Sequence, residues 1–178
     1  MQKAFYEEEA ATRASMDAAI PYINAAIRYF RGSNLPVIVV QHMNESEGLV
    51  PGTPGFEVLD QLNLVDSDAR IVKTYGNAFN KTGLSALLQE HGVDTLILTG
   101  FQAEGCVLST ERGANDLDLS PIILRDGIAT GSAEHKRFVE EISDLVSYGA
   151  LKKMLAISSR IIRKRDRPKP KPPCGGQP

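Results

Sequence analysis

Two side chains in this 178-residue sequence carry the clearest chemical potential, Cys106 and Lys73. A thiolate attacks carbonyl carbon, and a neighbouring ammonium depresses the thiol pKa and stabilises the charge that develops on attack. Cys106 lies within GVDTLILTGFQAEGCVLSTERGA, residues 92–114. There an apolar run over 94–99 reads as a buried parallel strand, and a helical pattern begins near Gly105. That places the thiol where a strand's carboxyl end meets a helix amino end, the point at which α/β sheets bind ligands and the helix dipole favours an anion. Gly100, Ala103 and Gly105 let the backbone approach a ligand closely, as oxyanion stabilisation requires. The same position also suits a small buried hydrophobe. Lys73 ends the apolar run RIVK just before Tyr75-Gly76-Asn77-Ala78-Phe79. Beside Cys106 it would act as above, or in proton transfer; alone it would snorkel to solvent.

The three histidines, His42, His91 and His135, are scattered, and only His42 follows a predicted strand end and so faces a pocket. His91 reads as solvated at a helix end, and His135 as a structural residue near a helix start. No Asp-x-His or His-x-x-x-His spacing suggests a metal. Neither a P-loop, a Gly-x-Gly-x-x-Gly fingerprint nor a Gly-x-Ser-x-Gly elbow is present, so no cofactor is expected.

The elements that must position these residues follow from periodicity. Residues 10–30 carry Met16, Ala19, Ile20, Ile23, Ala26, Ile27 and Phe30 on one helical face, with Pro21 as a point of kinking or late start. Residues 35–40 (LPVIVV) read as a strand buried on both faces, residues 70–73 as a short strand and 83–91 as a helix capped by Thr82. Residues 121–124 read as another strand, 133–148 as an amphipathic helix, and 149–157 as room for a last short strand. The long loop over 42–68 is expected to be functional or to carry short elements. Strand and helix alternate as in a three-layer α/β sandwich with a doubly wound parallel sheet.

Composition sets the class. Apolar residues make up 42% and charged residues 24%, which suits a single globular domain. A net charge of −2 argues against a dedicated nucleic-acid binder. No apolar run reaches the roughly 18 residues of a membrane span, and the first residues are no signal peptide. The second cysteine, Cys174, stands in a different context from Cys106, so a reducing cytoplasmic setting is the default. Residues 158–178 are basic and proline-rich and read as a disordered tail, its only other suggestion a salt-sensitive contact with nucleic acid or acidic lipid.

The sequence resembles the isochorismatase-like cysteine hydrolases, which include nicotinamidases and N-carbamoyl amide hydrolases. The resemblance covers residues 1–157 and rests on Pro51-Gly52-Thr53-Pro54-Gly55-Phe56-Glu57 and on Lys73 with Asn77-Ala78-Phe79 and Thr82-Gly83-Leu84. It continues through 92–96 into Gly100, Cys106-Val107 with Thr110 and Ala114, and Asp126-Gly127 with Ala129-Thr130 and His135. It implies strand order 3-2-1-4-5-6 and an Asp–Lys–Cys triad, with Cys106 matching the nucleophile and Lys73 the lysine. It implies a cis peptide at Phe101–Gln102, with the amides of Gln102 and Cys106 as the oxyanion hole. The pocket would be shaped by the 42–68 loop, Tyr75 and Phe79, in a homo-oligomer acting on a small molecule. The implied reaction is thiolate attack on an amide or related C–N bond through a thioester acyl-enzyme.

Two departures qualify it. Gln41-His42-Met43 stands where nicotinamidases carry a metal-binding Asp-x-His, which disfavours nicotinamide. Met1-Gln2-Lys3-Ala4-Phe5 matches the segment just after the triad aspartate, so that residue and the central strand before it have no counterpart. Glu7, Glu8 and Glu9 are the nearest substitutes, a helical turn or more too far on. The expectation is a fold lacking its first central strand, with impaired activity or a non-catalytic binding role, and with upstream codons restoring the missing strand and aspartate.

Overall fold

The computed structural model describes the backbone of residues 1–165 and the side chains of residues 1–156. The chain runs α1 (Lys3–Glu8), α2 (Ala10–Gly32), β1 (Ile38–His42), β2 (Ala69–Lys73), α3 (Leu84–Glu90), β3 (Thr95–Phe101), α4 (Leu108–Asn115), β4 (Ser120–Ala129), α5 (Ala133–Ile142), β5 (Leu145–Val146) and α6 (Tyr148–Arg165). The long loop carries short 3₁₀ turns, Glu45–Glu47 and Pro54–Phe56. Every strand pairing is parallel: β1 with β2, β3 with β4, and β4 with β5.

Successive side chains of a strand point to opposite faces, and β4 shows both faces covered. Ile123 packs with Ala103, Val107, Ile128 and Val139 on the α4–α5 side, whereas Leu124 packs with Ala26, Val146 and Leu151 on the α2–α6 side. The stripe of α2 predicted from periodicity is the buried one: Met16, Ala19, Ile20, Ile23 and Ile27 close over Leu59 and Ala129. On the other flank, Ala78, Leu84 and Leu88 cover Ile38, Val40 and Ile71. The architecture is α/β with parallel strands between helical layers, as expected.

The strands fall into two sheets, β1–β2 and β3–β4–β5. β1 and β3 do not pair with each other; a slot runs between them. Two cavities of about 210 and about 440 Å³ lie along it, both lined by Ile38, Val40, Ile97 and Leu98.

Several local expectations change. Helix α2 continues through Pro21, whose missing N–H costs one helical bond while the buried stripe holds the helix together. β4 does not stop before Asp126-Gly127 but resumes at Ile128–Ala129. Leu98 pairs with Ile123 and Gly100 with Ile128, and Asp126 takes φ 64° in the intervening bulge. Residues 149–157 form helix α6, not a strand, and the last strand is Leu145–Val146. Residues 158–165, expected to be disordered, continue that helix; residues 166–178 lie outside the described residues.

Candidate active site

Lys73 sits at the carboxyl end of β2 and is only 5% exposed. Its Nζ donates to the carbonyl of Tyr75 at 2.8 Å and to Cys106 Sγ at 3.0 Å. A buried ammonium is costly unless it meets a negative or strongly polar partner, and the thiol is the side chain it meets. Cys106 is half-buried in a π-type turn, Ala103–Val107, that carries β3 into α4. The amides of Gly105 and Val107 both donate to Gln102 O at 3.1 Å and tighten this turn. The Phe101–Gln102 peptide is cis, at the position the resemblance implied.

The loop after Lys73 is fastened to α4. The amide of Ala78 donates to Thr110 Oγ1 at 3.1 Å, and the Asn77 carboxamide lies against Gly113, where a Cβ would stand 2.6 Å from its Cγ. These contacts hold two strand ends, 33 residues apart in sequence, at bonding distance.

His42 is the register partner of Lys73 across β1–β2. Burial and then the Lys73 charge lower its pKa, against a weaker pull from Glu47, and its Nδ1 is buried without a hydrogen-bond partner. Its backbone is paired by a side chain: Gln2 Oε1 accepts from His42 N at 2.7 Å, and Gln2 Nε2 donates to His42 O and Phe56 O at 3.0 Å. Gln2 thereby docks the first residues at the end of β1, and Met1 lines the slot cavity with Lys73 and Cys106. The α-amine of Met1 is pushed down to about 6, first by burial; Cys106 pulls it up and Lys73 pushes it down.

The remaining candidates separate. Tyr75 is exposed and touches Lys73 through its carbonyl, while its ring stacks under Lys81 Nζ. Phe79 is partly buried and packs against the Ala78–Leu84–Leu88 cluster. Glu7, Glu8 and Glu9 are exposed, and among the described residues no carboxylate reaches Lys73 at ion-pair distance. Among those residues, too, no three His, Cys, Asp or Glu side chains group as a metal site, and no helix is long and apolar enough to cross a membrane.

Sequence reasoning gave no role to Glu104. Its Oε1 accepts from Gln102 Nε2 at 2.9 Å and Thr130 Oγ1 at 2.9 Å, and lies 2.8 Å from His135 Nδ1. The one signal in the sequence was its place two residues before the cysteine.

Comparison with known proteins agrees with this geometry. The Isochorismatase domain family matches residues 1–149. The chain is 32% identical over 112 residues to the uncharacterized isochorismatase family protein YddQ of Bacillus subtilis, covering 60% of this chain and 62% of that protein. It is 36% identical over 72 residues to the N-carbamoylsarcosine amidase of an Arthrobacter species, 40% of this chain and 27% of that enzyme. Its fold superposes on a cysteine hydrolase from Pseudomonas syringae with a TM-score of 0.78 at 20% identity, covering 89% of this chain and 90% of that one. With that match over most of its length, and strand ends that bring a lysine onto a cysteine at the head of a helix, the chain belongs to the isochorismatase family.

Proposed function

We propose that this protein is a cysteine hydrolase of a small-molecule amide or related C–N bond. The observation that carries the reading is the 3.0 Å contact between the buried Lys73 Nζ and Cys106 Sγ. The relationship to an N-carbamoylsarcosine amidase supports the C–N bond as the target. In this reading Cys106 Sγ attacks the carbonyl carbon and the C–N π overlap is lost. The oxygen takes up negative charge against the backbone amides of Gln102 and Cys106. Collapse breaks the C–N bond, and the amine leaves with a proton. Water then adds to the thioester, the S–C bond breaks, and an acid is released. Lys73 holds the thiolate and the developing charge in place. No metal or organic cofactor takes part in these steps.

Among the described residues a proton acceptor is the unfilled role, worth roughly 10²–10⁴-fold in rate. The slot between β1 and β3 supports a definite answer. A strand lying in it, parallel to both neighbours and carrying a carboxylate at its end, would join the two sheets and set that carboxylate beside Lys73. The same slot favours a second reading: without such a strand, the 178 residues act as a binding or assembly module that keeps the fold but turns over slowly.

Alkylation by iodoacetamide near neutral pH separates the two. The hydrolase reading expects Cys106 to react about tenfold or more faster than N-acetylcysteine. It also expects turnover of some member of a small-amide panel, lost in Cys106→Ala and in Lys73→Ala. Retained turnover in Cys106→Ala would remove the nucleophile assignment.

A further inference from the structure

The turn that carries the nucleophile is held from outside by one carboxylate. Glu104 stands inside the Ala103–Val107 turn, between the cis peptide and Cys106. Its Oε1 gathers contacts from three elements: Gln102 in the same turn, Thr130 just beyond β4, and His135 in the first turn of α5. An ionised carboxylate only accepts, so the proton on the His135 contact belongs to Nδ1. Burial by itself would raise the Glu104 pKa, but hydrogen bonds from its own amide, His135 and Thr130 outweigh that and hold it below the usual range.

The partners are themselves anchored. Thr130 is 3% exposed, and its amide donates to Ser15 Oγ on α2 at 3.2 Å. Ser132 caps α5 by accepting from the His135 amide at 3.3 Å, and its own amide donates to Thr130 Oγ1 at 3.3 Å. A continuous chain of hydrogen bonds thus runs from α2 through Thr130 to Glu104 and on to α5. Glu104 is a poor candidate for the missing base, because its carboxylate is held by Gln102, Thr130 and His135 and neither Lys73 nor Cys106 is among its partners.

We propose that Glu104 is a positioning residue: clamped by Thr130 and His135, it fixes the Gln102–Cys106 turn so that the two backbone amides aim at one point. The proposal rests on the reading of Cys106 as nucleophile and of these amides as oxyanion donors. Charge alone predicts the opposite effect from positioning. A carboxylate two residues from the thiol disfavours the thiolate, so removing it would by charge speed alkylation, whereas a loosened turn loses oxyanion binding.

Propionaldehyde provides the readout. Cys106 Sγ adds to its carbonyl carbon, the C=O π pair moves to oxygen, and the thiol proton ends on that oxygen. The thiohemiacetal oxygen occupies the oxyanion position and blocks iodoacetamide reversibly. In Glu104→Ala the propionaldehyde concentration needed for protection should rise about tenfold or more, while the alkylation rate without aldehyde stays within about threefold. Glu104→Gln keeps an acceptor oxygen and should restore most of the protection. Thr130→Val and His135→Ala should show smaller losses in the same direction, and they carry the test if Glu104→Ala fails to fold. Unchanged protection in Glu104→Ala, or in both Thr130→Val and His135→Ala, overturns the clamp. Wild-type protein that propionaldehyde does not protect would instead sink the oxyanion-hole reading, and the clamp with it.

Discussion

Lys73 and Cys106 meet because two strand ends and a helix start converge, and the contact is chemically purposeful only if the ammonium is charged. An apolar core would gain from replacing Lys73 by methionine, because a buried charge is removed and the chain length kept. Lys73→Met is therefore expected to unfold at the same temperature as the parent or higher, while iodoacetamide labelling of Cys106 at pH 7 slows about tenfold. A fall in both together would mean the lysine is structural. Glu111 poses a related question without a functional partner. It is 3% exposed; burial raises its pKa, Arg112 and Asn115 oppose the rise, and Asp144 adds to it. An acid whose folded pKa is raised binds its proton more tightly when folded. The penalty for ionisation is thus fully present above the folded pKa and relieved as pH falls through it. Glu111→Gln should stabilise the protein at pH 7, and urea titrations should show that margin shrinking as pH drops toward the carboxylate range. A margin that grows on acidification would reverse the assignment.

At the level of elements, glycine and polar contacts decide how the β2 loop sits on α4. Gly113 leaves room for the Asn77 carboxamide, whose Oδ1 accepts from the Phe79 amide at 2.9 Å. Gly113→Ala would displace that side chain and release the amide. Chemical denaturation should show a loss of about 1–3 kcal/mol, more than the small gain a helix normally draws from alanine over glycine. An alanine variant as stable as the parent would show that Asn77 can move without cost. The β4 bulge has a comparable logic. Asp126 tolerates a left-handed backbone better than a branched residue would, and Gly127 packs its backbone onto Leu124, so the strand can bend and resume. That resumption brings Ala129 level with Phe101 and delivers Thr130 to Glu104.

For the molecule as a whole, the slot is the dominant feature. β1 and β3 are five and seven residues long, and among the described residues each pairs with a neighbour along one edge. A chain extended before Met1 by an apolar six-residue strand ending in aspartate should fill it, since Gln2 already fixes where that strand must end. Several buried side chains and a new ladder should raise the thermal midpoint by about 10 °C or more and slow amide exchange in β1 and β3. If neither changes, the slot does not accept a strand. Much of this layout was legible beforehand. The apolar stripe of α2 and the strands expected at 35–40 and 94–99, observed at Ile38–His42 and Thr95–Phe101, have local signatures; the pairing of Lys73 with Cys106 came from the family resemblance. The continuation of α6 past residue 157 was not legible, because basic and proline-rich composition at 158–178 masked a helical segment whose apolar residues are sparse. The packing of Phe79 on the Ala78–Leu84–Leu88 cluster was not legible either, because an aromatic residue near a site looks the same in sequence whatever it packs on.

The class of fold, the family and the candidate pair Lys73 and Cys106 could be read from the chain alone, because period, strand-end position and residue chemistry are local properties. Folding in three dimensions was needed to set Lys73 3.0 Å from Cys106, to tie the Cys106 turn to β4 and α5 through Glu104, and to face β1 and β3 across a slot. Each of these depends on residues distant in the chain, brought together when burial of apolar faces sets strand register and helix placement.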